Sequence, residues 1–337
     1  MPFQESPIAV PDHADTAPPL DRRLMEPAAT VPLEELAAGW FHQTVTLRCA
    51  DAAALVDDPA FAGRLRGAFE RALMAGASDE SLRGAPCRWD PPCAYDVLVR
   101  EHGKIASGLI VPRPMVLRAE ARGRDLLVGL TLFGFACDWT LAAADALTAA
   151  LRTGIAPPPR PAVEVLTVRE ARAAHRPGGG ASPPPSAGLR LLGRSVESFD
   201  GVTVPAAASA VALEFTTPVC LRGSTDLRHG LAGFVGTLTN RVFGLARWQD
   251  AGIACDRRAL LAAADAVRVE AGDLKRVDWR RGSAKQDRWL PMEGETGTVY
   301  LEGPLAPLLP LLALGALVHA GARTTFGQGA YRLRVVA

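Results

Sequence analysis

Two patterns of apolar residues recur along the chain and predict a mixture of strands and helices. In residues 41–50, FHQTVTLRCA, apolar and polar positions alternate with period two, which is typical of a strand. In residues 58–76 the apolar positions Phe61, Leu65, Phe69 and Leu73 fall on one face of an amphipathic helix. The patterned part of the chain therefore opens with a strand followed by a helix.

The rest of the first half continues the mixture. AYDVLVREH (94–102) is predicted as a strand, and MVLRAEARGRDLLVGLTLFGFA (115–136) as two strands joined by a hairpin at Gly123. DWTLAAADALTAALRTG (138–154) is typical of a helix with a glycine end signal, and PAVEVLTVREA (161–171) supplies a last strand. With the strand at 94–102 as an addition, the predicted elements approximate the order strand, helix, strand, strand, helix, strand.

The second half approximates the same order, with one additional helix. Strands are predicted over 209–223, 267–281, 296–304 and 330–336, and helices over 231–249, 256–267 and 305–318. Two units of this kind in tandem indicate an α+β protein made of two ferredoxin-like (RRM-like) domains. The predicted divisions are a disordered tail (1–37), an N-terminal ferredoxin-like domain (38–175), a Pro/Gly-rich linker or loop (176–188) and a C-terminal ferredoxin-like domain (189–337).

Composition agrees with a globular protein. Hydrophobic residues make up 48% and charged residues 22% of the 337 positions, which excludes disorder throughout. The net charge is +1, but the first 37 residues hold seven acids and two bases, so the remainder carries +6. A mild basic excess supports a polyanionic partner only where the charges cluster.

The basic residues cluster in one stretch, LKRVDWRRGSAKQDRW (274–289). Six basic residues outnumber two acids, and Trp279 and Trp289 lie among them. Guanidinium groups pair with phosphate and flat rings stack on unpaired bases, so this stretch favours RNA. The alternative is a solvated hairpin whose tryptophans point into the core. The candidate RNA-binding residues here are Arg280, Arg281, Lys285, Gln286 and Arg288.

A glycine-rich loop, VHAGARTTFGQGAYRL (318–333), follows the most apolar run. It lacks the GK[ST] of a P-loop, and its helix-to-strand order is the reverse of a dinucleotide fingerprint. Gly321 alone is compatible with a helix cap. If strand pairing brings the loop beside the basic stretch, it offers donors and close backbone approach to phosphate through Arg323, Thr324, Thr325, Gly327 and Gly329.

Signatures of several other classes of site are missing. The sequence has no GxSxG elbow, no HExxH and no convincing carboxylate pair. Its six cysteines are scattered without CxxC spacing, so we expect neither a disulfide framework nor a metal or cofactor. No basic start followed by an apolar core opens the chain, and the run 305–318 is too short to cross a bilayer, so we expect a cytoplasmic protein with no membrane partner.

Several segments together resemble one known family. They are ALEFTTPVCLRG (212–223), WRRGSAKQDRWLPMEGETGTVYLEG (279–303) and LLPLLALGALVHAGARTTFGQGAYRL (308–333), with RLRGAFERAL, CAYDVLV, VPRPMVL and LTLFGFA in the same order in the N-terminal half. Over roughly residues 40–337 the chain resembles the CRISPR repeat-processing endoribonucleases of the RAMP superfamily. These are Cas proteins that cut precursor CRISPR RNA into guides for antiviral defence.

The resemblance implies a fold, a reaction and a partner. The fold is a pair of tandem ferredoxin-like domains, the second being the RAMP domain with its glycine-rich loop. The reaction is metal-independent cleavage of CRISPR repeat RNA, in which the upstream 2′-hydroxyl attacks the phosphate and leaves a 2′,3′-cyclic phosphate and a 5′-hydroxyl. The alternative is a noncatalytic RNA-binding RAMP subunit, held with other Cas subunits in an effector complex.

The chain departs from the family pattern at the general base. Relatives often carry a histidine in or near the first helix, but residues 50–90 contain none, and Arg71 stands at the matching position. Three solutions remain open: His42 in the preceding strand is the base, arginines such as Arg64 and Arg71 stabilise the transition state without it, or the protein binds RNA and cuts poorly. The candidate catalytic residues are His42, Arg64 and Arg71.

Overall fold

The structure is a computed structural model that describes residues 19–155, 163–173, 195–199, 202–205, 207–221, 226–283 and 288–336. Helices and strands both contribute, which confirms the predicted α+β class. The predicted linker at 176–188 lies outside the described residues. None of the described helices is long and apolar enough to cross a membrane.

The N-terminal half contains an antiparallel four-stranded arrangement to which one parallel strand is added. Its strand order is β5-β6-β2-β7-β8. The first strand of the predicted ferredoxin-like unit, β2, therefore lies between its third strand, β6, and its last strand, β7. The elements are α1 (Pro19–Met25), β1 (Ala29–Pro32), α2 (Leu33–Ala38), β2 (His42–Cys49), α3 (Phe61–Met74), α4 (Asp79–Leu82), α5 (Ala94–Val99), β3 (Lys104–Ala106), β4 (Leu109–Ile110), β5 (Met115–Arg122), β6 (Asp125–Phe133), α6 (Thr140–Thr153), β7 (Val165–Ala173) and β8 (Ser195–Phe199).

The C-terminal half repeats the central position of the first strand. Its sheet runs β11-β13-β9-β14, and β12 also pairs with β13. The long strand β13 therefore continues past the sheet as a hairpin with β12. The elements are β9 (Ala210–Val219), α7 (Ala232–Ala246), β10 (Ala251–Ala254), α8 (Arg257–Asp265), β11 (Arg268–Glu270), β12 (Lys275–Ser283), β13 (Arg288–Glu302), α9 (Leu309–Val318) and β14 (Tyr331–Val335).

Side-chain alternation gives each face of β2 a different role. Val45, Leu47 and Cys49 are buried in the core, and Gln43 on the same face accepts a hydrogen bond from the Thr140 hydroxyl of α6 at 2.7 Å. The helices α3 and α6 pack against each other on this side. Successive strand residues point to opposite sides of a sheet, so the other face of β2, which begins with His42, points away from α6.

The prediction of a disordered tail is wrong for residues 19–37. Leu24 is fully buried, and β1 pairs in parallel with β10 of the C-terminal half. The Arg23 Nε donates to Asp250 at 3.1 Å, and the Arg100 guanidinium donates to Asp21 at 2.6 Å. The segment thus bridges both halves. Composition missed this because the partners lie far away in the sequence; residues 1–18 lie outside the described part.

The predicted strand at 94–102 is also wrong, because residues 94–99 form the short helix α5. Its apolar run, Val97 to Val99, is buried throughout, and such a short run does not distinguish a strand from a buried helix. Helical geometry brings Arg100 one turn after Asp96, where its Nε donates to the buried carboxylate at 2.6 Å.

Candidate functional site

The basic hairpin projects from the C-terminal sheet. Lys275 to Ser283 of β12 pair with residues 288–296 of β13, beyond most of the pairing between β13 and β9. Arg276 forms ion pairs with Asp278 and Glu293, which neutralise its charge. Arg280 is exposed. The hairpin therefore presents at least one side-chain cation to solvent on an extended arm.

The glycine-rich loop closes on itself and on the neighbouring strand. Gly329 has φ +72°, and a Cβ there would lie 1.8 Å from the Ala320 carbonyl oxygen. A Cβ on Gly321, at φ +80°, would lie 2.6 Å from the Cys220 carbonyl oxygen. The Ala322 amide donates to that same oxygen at 2.8 Å. These glycines are required by backbone packing inside the protein.

The hairpin and the loop share one groove. It has a volume of about 640 Å³, and its lining includes Trp279, Arg280, Met292, Cys220 and Arg323. The bridge between Cys220 and Ala322 holds the loop against the end of β9, which is the neighbour of β13. The basic stretch and the loop therefore lie side by side, which is the condition for the shared phosphate contact predicted from the sequence.

The predicted RNA-binding residues occupy different positions in the structure. Arg280 and Arg323 line the groove and are exposed. Thr324 and Thr325 are 5% and 9% exposed, so the structure buries their hydroxyls, and Gly327 and Gly329 are buried too. Gly327 packs on the N-terminal half, where an added Cβ would lie 3.0 Å from the Leu117 carbonyl oxygen. The side chains of Arg281, Lys285, Gln286 and Arg288 lie outside the described part of the chain.

The predicted catalytic residues are spread over two faces of the N-terminal half. Arg64 forms an ion pair with Asp58 at 2.6 Å, and Arg71 is exposed on the same helix, α3. His42 lies on the face of β2 that points away from α6.

His42 is a buried, neutral imidazole. It is 6% exposed, and burial, together with the charge of Arg118, lowers its pKa to about 4. A hydrogen bond with the Trp40 backbone opposes the decrease in pKa. The ring is therefore unprotonated at neutral pH, which is the form that can accept a proton, but its basicity is low.

Sequence reasoning missed a cluster at the contact between the two halves. Arg118 of β5 donates its Nε to the Nε2 of His319 at 2.9 Å and its Nη2 to the Ala316 carbonyl at 2.5 Å. Arg241 of α7 donates its Nε to the Val318 carbonyl at 2.6 Å. The two arginines together donate to two of the last carbonyls of α9, which lack partners within the helix.

His319 connects this cluster to the glycine-rich loop. Because its Nε2 accepts from Arg118, its Nδ1 carries the proton and donates to the Gln328 carbonyl at 3.2 Å. Burial and the charges of Arg118 and Arg241 hold its pKa well below the usual value. The only sequence signal was a histidine at the end of an apolar helix, since Arg118 lies 201 positions away.

A second contact ties α3 to the loop. The Arg66 guanidinium lies 4.4 Å from the ring centroid of Phe326 and pairs with Glu70 at 2.6 Å. The loop is thus held by two elements of the N-terminal half, β5 and α3. Within the described residues no group of three or more His, Cys, Asp or Glu side chains is placed to hold a metal ion.

Residues 213–331 match the family model of the CRISPR-associated endoribonuclease Cas6, and they include the hairpin, the apolar helix and most of the loop. This part of the chain is similar to Cas6. The resemblance seen in the sequence is thereby confirmed, and the family is one of RNA-cleaving enzymes. Residues 40–178 match a second family model, described as an N-terminal domain.

Solved Cas6 structures are similar to the chain over most of its length. Cas6 of Thermus thermophilus is 14% identical, covering 88% of this chain and 99% of its own, with a TM-score of 0.45. A Cas6 product complex is 15% identical, covering 87% and 99%, with a TM-score of 0.48. Cas6b is 11% identical, covering 88% and 100%, at 0.42. No curated protein matches the chain.

Proposed function

We propose that this protein binds the repeat RNA of CRISPR precursor transcripts and cleaves it into guides. The observation that carries the proposal is the groove in which Arg280 of the basic hairpin and Arg323 of the glycine-rich loop meet, within the region that matches Cas6. Two exposed guanidinium groups across one groove suit the phosphates of an RNA strand.

The two sheets support tandem ferredoxin-like units as the scaffold. In each, the first strand lies between the third and the last strand of the unit, as that topology requires. The proposed domains are 38–175 and 189–337, with residues 19–37 bound across both. The cluster of Arg118 and His319 fixes the second unit against the first, and so fixes the loop relative to β2 and α3.

The proposed cleavage is an internal transesterification without metal. The 2′-hydroxyl loses its proton and its oxygen attacks the adjacent phosphorus, while the bond to the 5′-oxygen breaks and that oxygen gains a proton. The products are a 2′,3′-cyclic phosphate and a 5′-hydroxyl. His42 is the proposed base, and Arg64 and Arg71 are the proposed cationic groups for the phosphorane.

A specific observation favours the alternative of a noncatalytic RNA-binding subunit with other Cas proteins as partners. His42 is 6% exposed with a pKa lowered to about 4, and Arg64 is already paired with Asp58. In this arrangement the groove holds the RNA. The buried His42 then does not need to reach the scissile phosphate.

The decisive experiment incubates the protein with the repeat RNA of its own genome in EDTA. The enzyme proposal predicts a product ending in a 2′,3′-cyclic phosphate, and predicts that His42→Ala abolishes cleavage while leaving RNA affinity intact. Binding without any cyclic-phosphate product supports the noncatalytic subunit. Absence of RNA binding in a filter assay at low salt rejects both.

A further inference from the structure

The groove between the hairpin and the loop has an apolar floor that phosphate binding alone does not explain. Trp279 stands directly opposite Met292 in the β12–β13 ladder, so both side chains lie on one face of the hairpin. Met292 is 5% exposed, whereas Trp279 is half-buried, leaving part of its indole open to the groove. The thiol of Cys220, 7% exposed, also contributes to the lining.

The cations that line the groove differ in how far they are already neutralised. Arg276 forms ion pairs with Asp278 and Glu293, so its positive charge is neutralised within the hairpin. Arg323 is exposed, and its side-chain contact is the Cys220 sulfur at 3.8 Å. Its backbone adopts the left-handed conformation, φ +63°, which is uncommon for a residue other than glycine. The loop thus presents a guanidinium at the rim of an apolar floor.

The dimensions of the groove suit one or two nucleotides. Its volume of about 640 Å³ lies within the range of pockets that hold small organic molecules. A base inside a duplex keeps both of its faces stacked on neighbours, so only an unpaired base can lay a face on an indole. Aromatic side chains beside a cationic groove are the usual means of binding single strands.

We infer that this groove binds an unpaired nucleotide, with the base stacked on Trp279 and its phosphate paired with Arg323. The inference rests on the proposed function and narrows it, because it states that the RNA is single-stranded where it crosses the groove. Stacking of one base is worth about 1–3 kcal/mol, which corresponds to about a 5- to 150-fold change in affinity.

The test measures fluorescence anisotropy of a labelled oligoadenylate of about 12 nucleotides, which is within the usual site size, alone and annealed to oligouridylate. The full chain is compared with Trp279→Ala, Trp279→Phe and Trp89→Ala. Trp89 is the matched control, since it is 54% exposed and does not line the groove. Circular dichroism verifies that each variant is folded.

We expect Trp279→Ala to bind the single strand about 5- to 150-fold more weakly, with Trp279→Phe retaining most of the affinity and Trp89→Ala unchanged. The duplex should bind more weakly than the single strand, and its affinity should not depend on Trp279. Equal binding by the full chain and Trp279→Ala, or tighter binding of the duplex than of the single strand, overturns the inference.

The outcomes for the inference and for the proposed function are separate. Cleavage of repeat RNA together with single-strand binding that is indifferent to Trp279 rejects the inference and leaves the enzyme proposal standing. Single-strand binding that depends on Trp279, without cleavage of repeat RNA, supports the inference and rejects the enzyme proposal. If the full chain binds neither probe nor repeat RNA, both are rejected.

Discussion

The Nε of Arg118 lies 2.9 Å from the Nε2 of His319, and this hydrogen bond joins the N-terminal sheet to the residue that links α9 to the glycine-rich loop. The same arginine donates to the Ala316 carbonyl, and the other nitrogen of His319 donates to the Gln328 carbonyl. A single chain of donors and acceptors therefore runs from the exposed Arg118 of β5 through the buried His319 at the helix end to Gln328 of the loop.

Arg118→Ala should lower the free energy of unfolding by about 2 kcal/mol or more, because His319 and the Ala316 carbonyl lose a charged donor. Urea unfolding followed by circular dichroism measures the loss. Arg122→Ala on the same strand is the control, since Arg122 is exposed and should change stability by less than about 0.5 kcal/mol. Equal effects of the two changes would show that the hydrogen bond between the N-terminal sheet and His319 does not stabilise the fold.

Stability should fall as the pH drops below 6.5. Folding lowers the pKa of His42 to about 4, so the unfolded chain binds the proton first; the stabilisation is complete above about 6.5 and is lost as the pH falls toward 4. The full loss from this residue is about 3 kcal/mol. His319, held neutral beside Arg118 and Arg241, adds to the same slope.

The variant His42→Gln tests that assignment. Its unfolding free energy, measured by urea titration at several pH values, should depend less steeply on pH between 6.5 and 4 than that of the unaltered chain. The slope contributed by His319 should remain. An unchanged slope in the variant would mean that His42 does not titrate in the way its burial implies.

Gly329→Ala should destabilise the protein by more than about 2 kcal/mol. The new methyl group would meet the Ala320 carbonyl at 1.8 Å, at a backbone φ of +72°. Gly272→Ala is the matched change, because a Cβ there meets nothing within 4 Å and φ is ordinary. Thermal unfolding of both should show a large drop for the first and little change for the second; similar melting temperatures would contradict the packing described for the loop.

Leu24→Ala tests the bound N-terminal segment. Leu24 is fully buried, and removing a buried leucine side chain typically costs about 2–5 kcal/mol. Glu26→Ala, at an exposed position two residues later, should be neutral. If the two variants had the same denaturant midpoint, the segment would not pack against the rest of the protein. That result would agree with the disordered tail predicted from the sequence.

The sequence predicted most elements because their periodicity is local. The amphipathic face of Phe61, Leu65 and Phe69 and the hairpin at Gly123 each appear where expected, in α3 and between β5 and β6. It was wrong for residues 19–37 and 94–99. In both, the stabilising partners are distant or the apolar run is too short to show a period.

The residues of the candidate site also divide into those that the sequence reveals and those that only the fold reveals. Arg280 and Arg323 could be selected because clustered cations and a glycine-rich loop are visible in the sequence. The burial of Thr324 and Thr325 could not, since it depends on how the loop packs against the N-terminal half. Arg118 carried no signal at all, because its role arises from a contact across 201 positions.

The most direct test of RNA binding in the groove is the salt dependence of repeat-RNA affinity for the full chain and for the double variant Arg280→Ala/Arg323→Ala. If the two arginines pair with phosphates of a single strand, the variant should bind more weakly and the slope of log K against log salt should become shallower by about 1.4. An affinity and a salt slope identical to those of the unaltered chain would contradict the account.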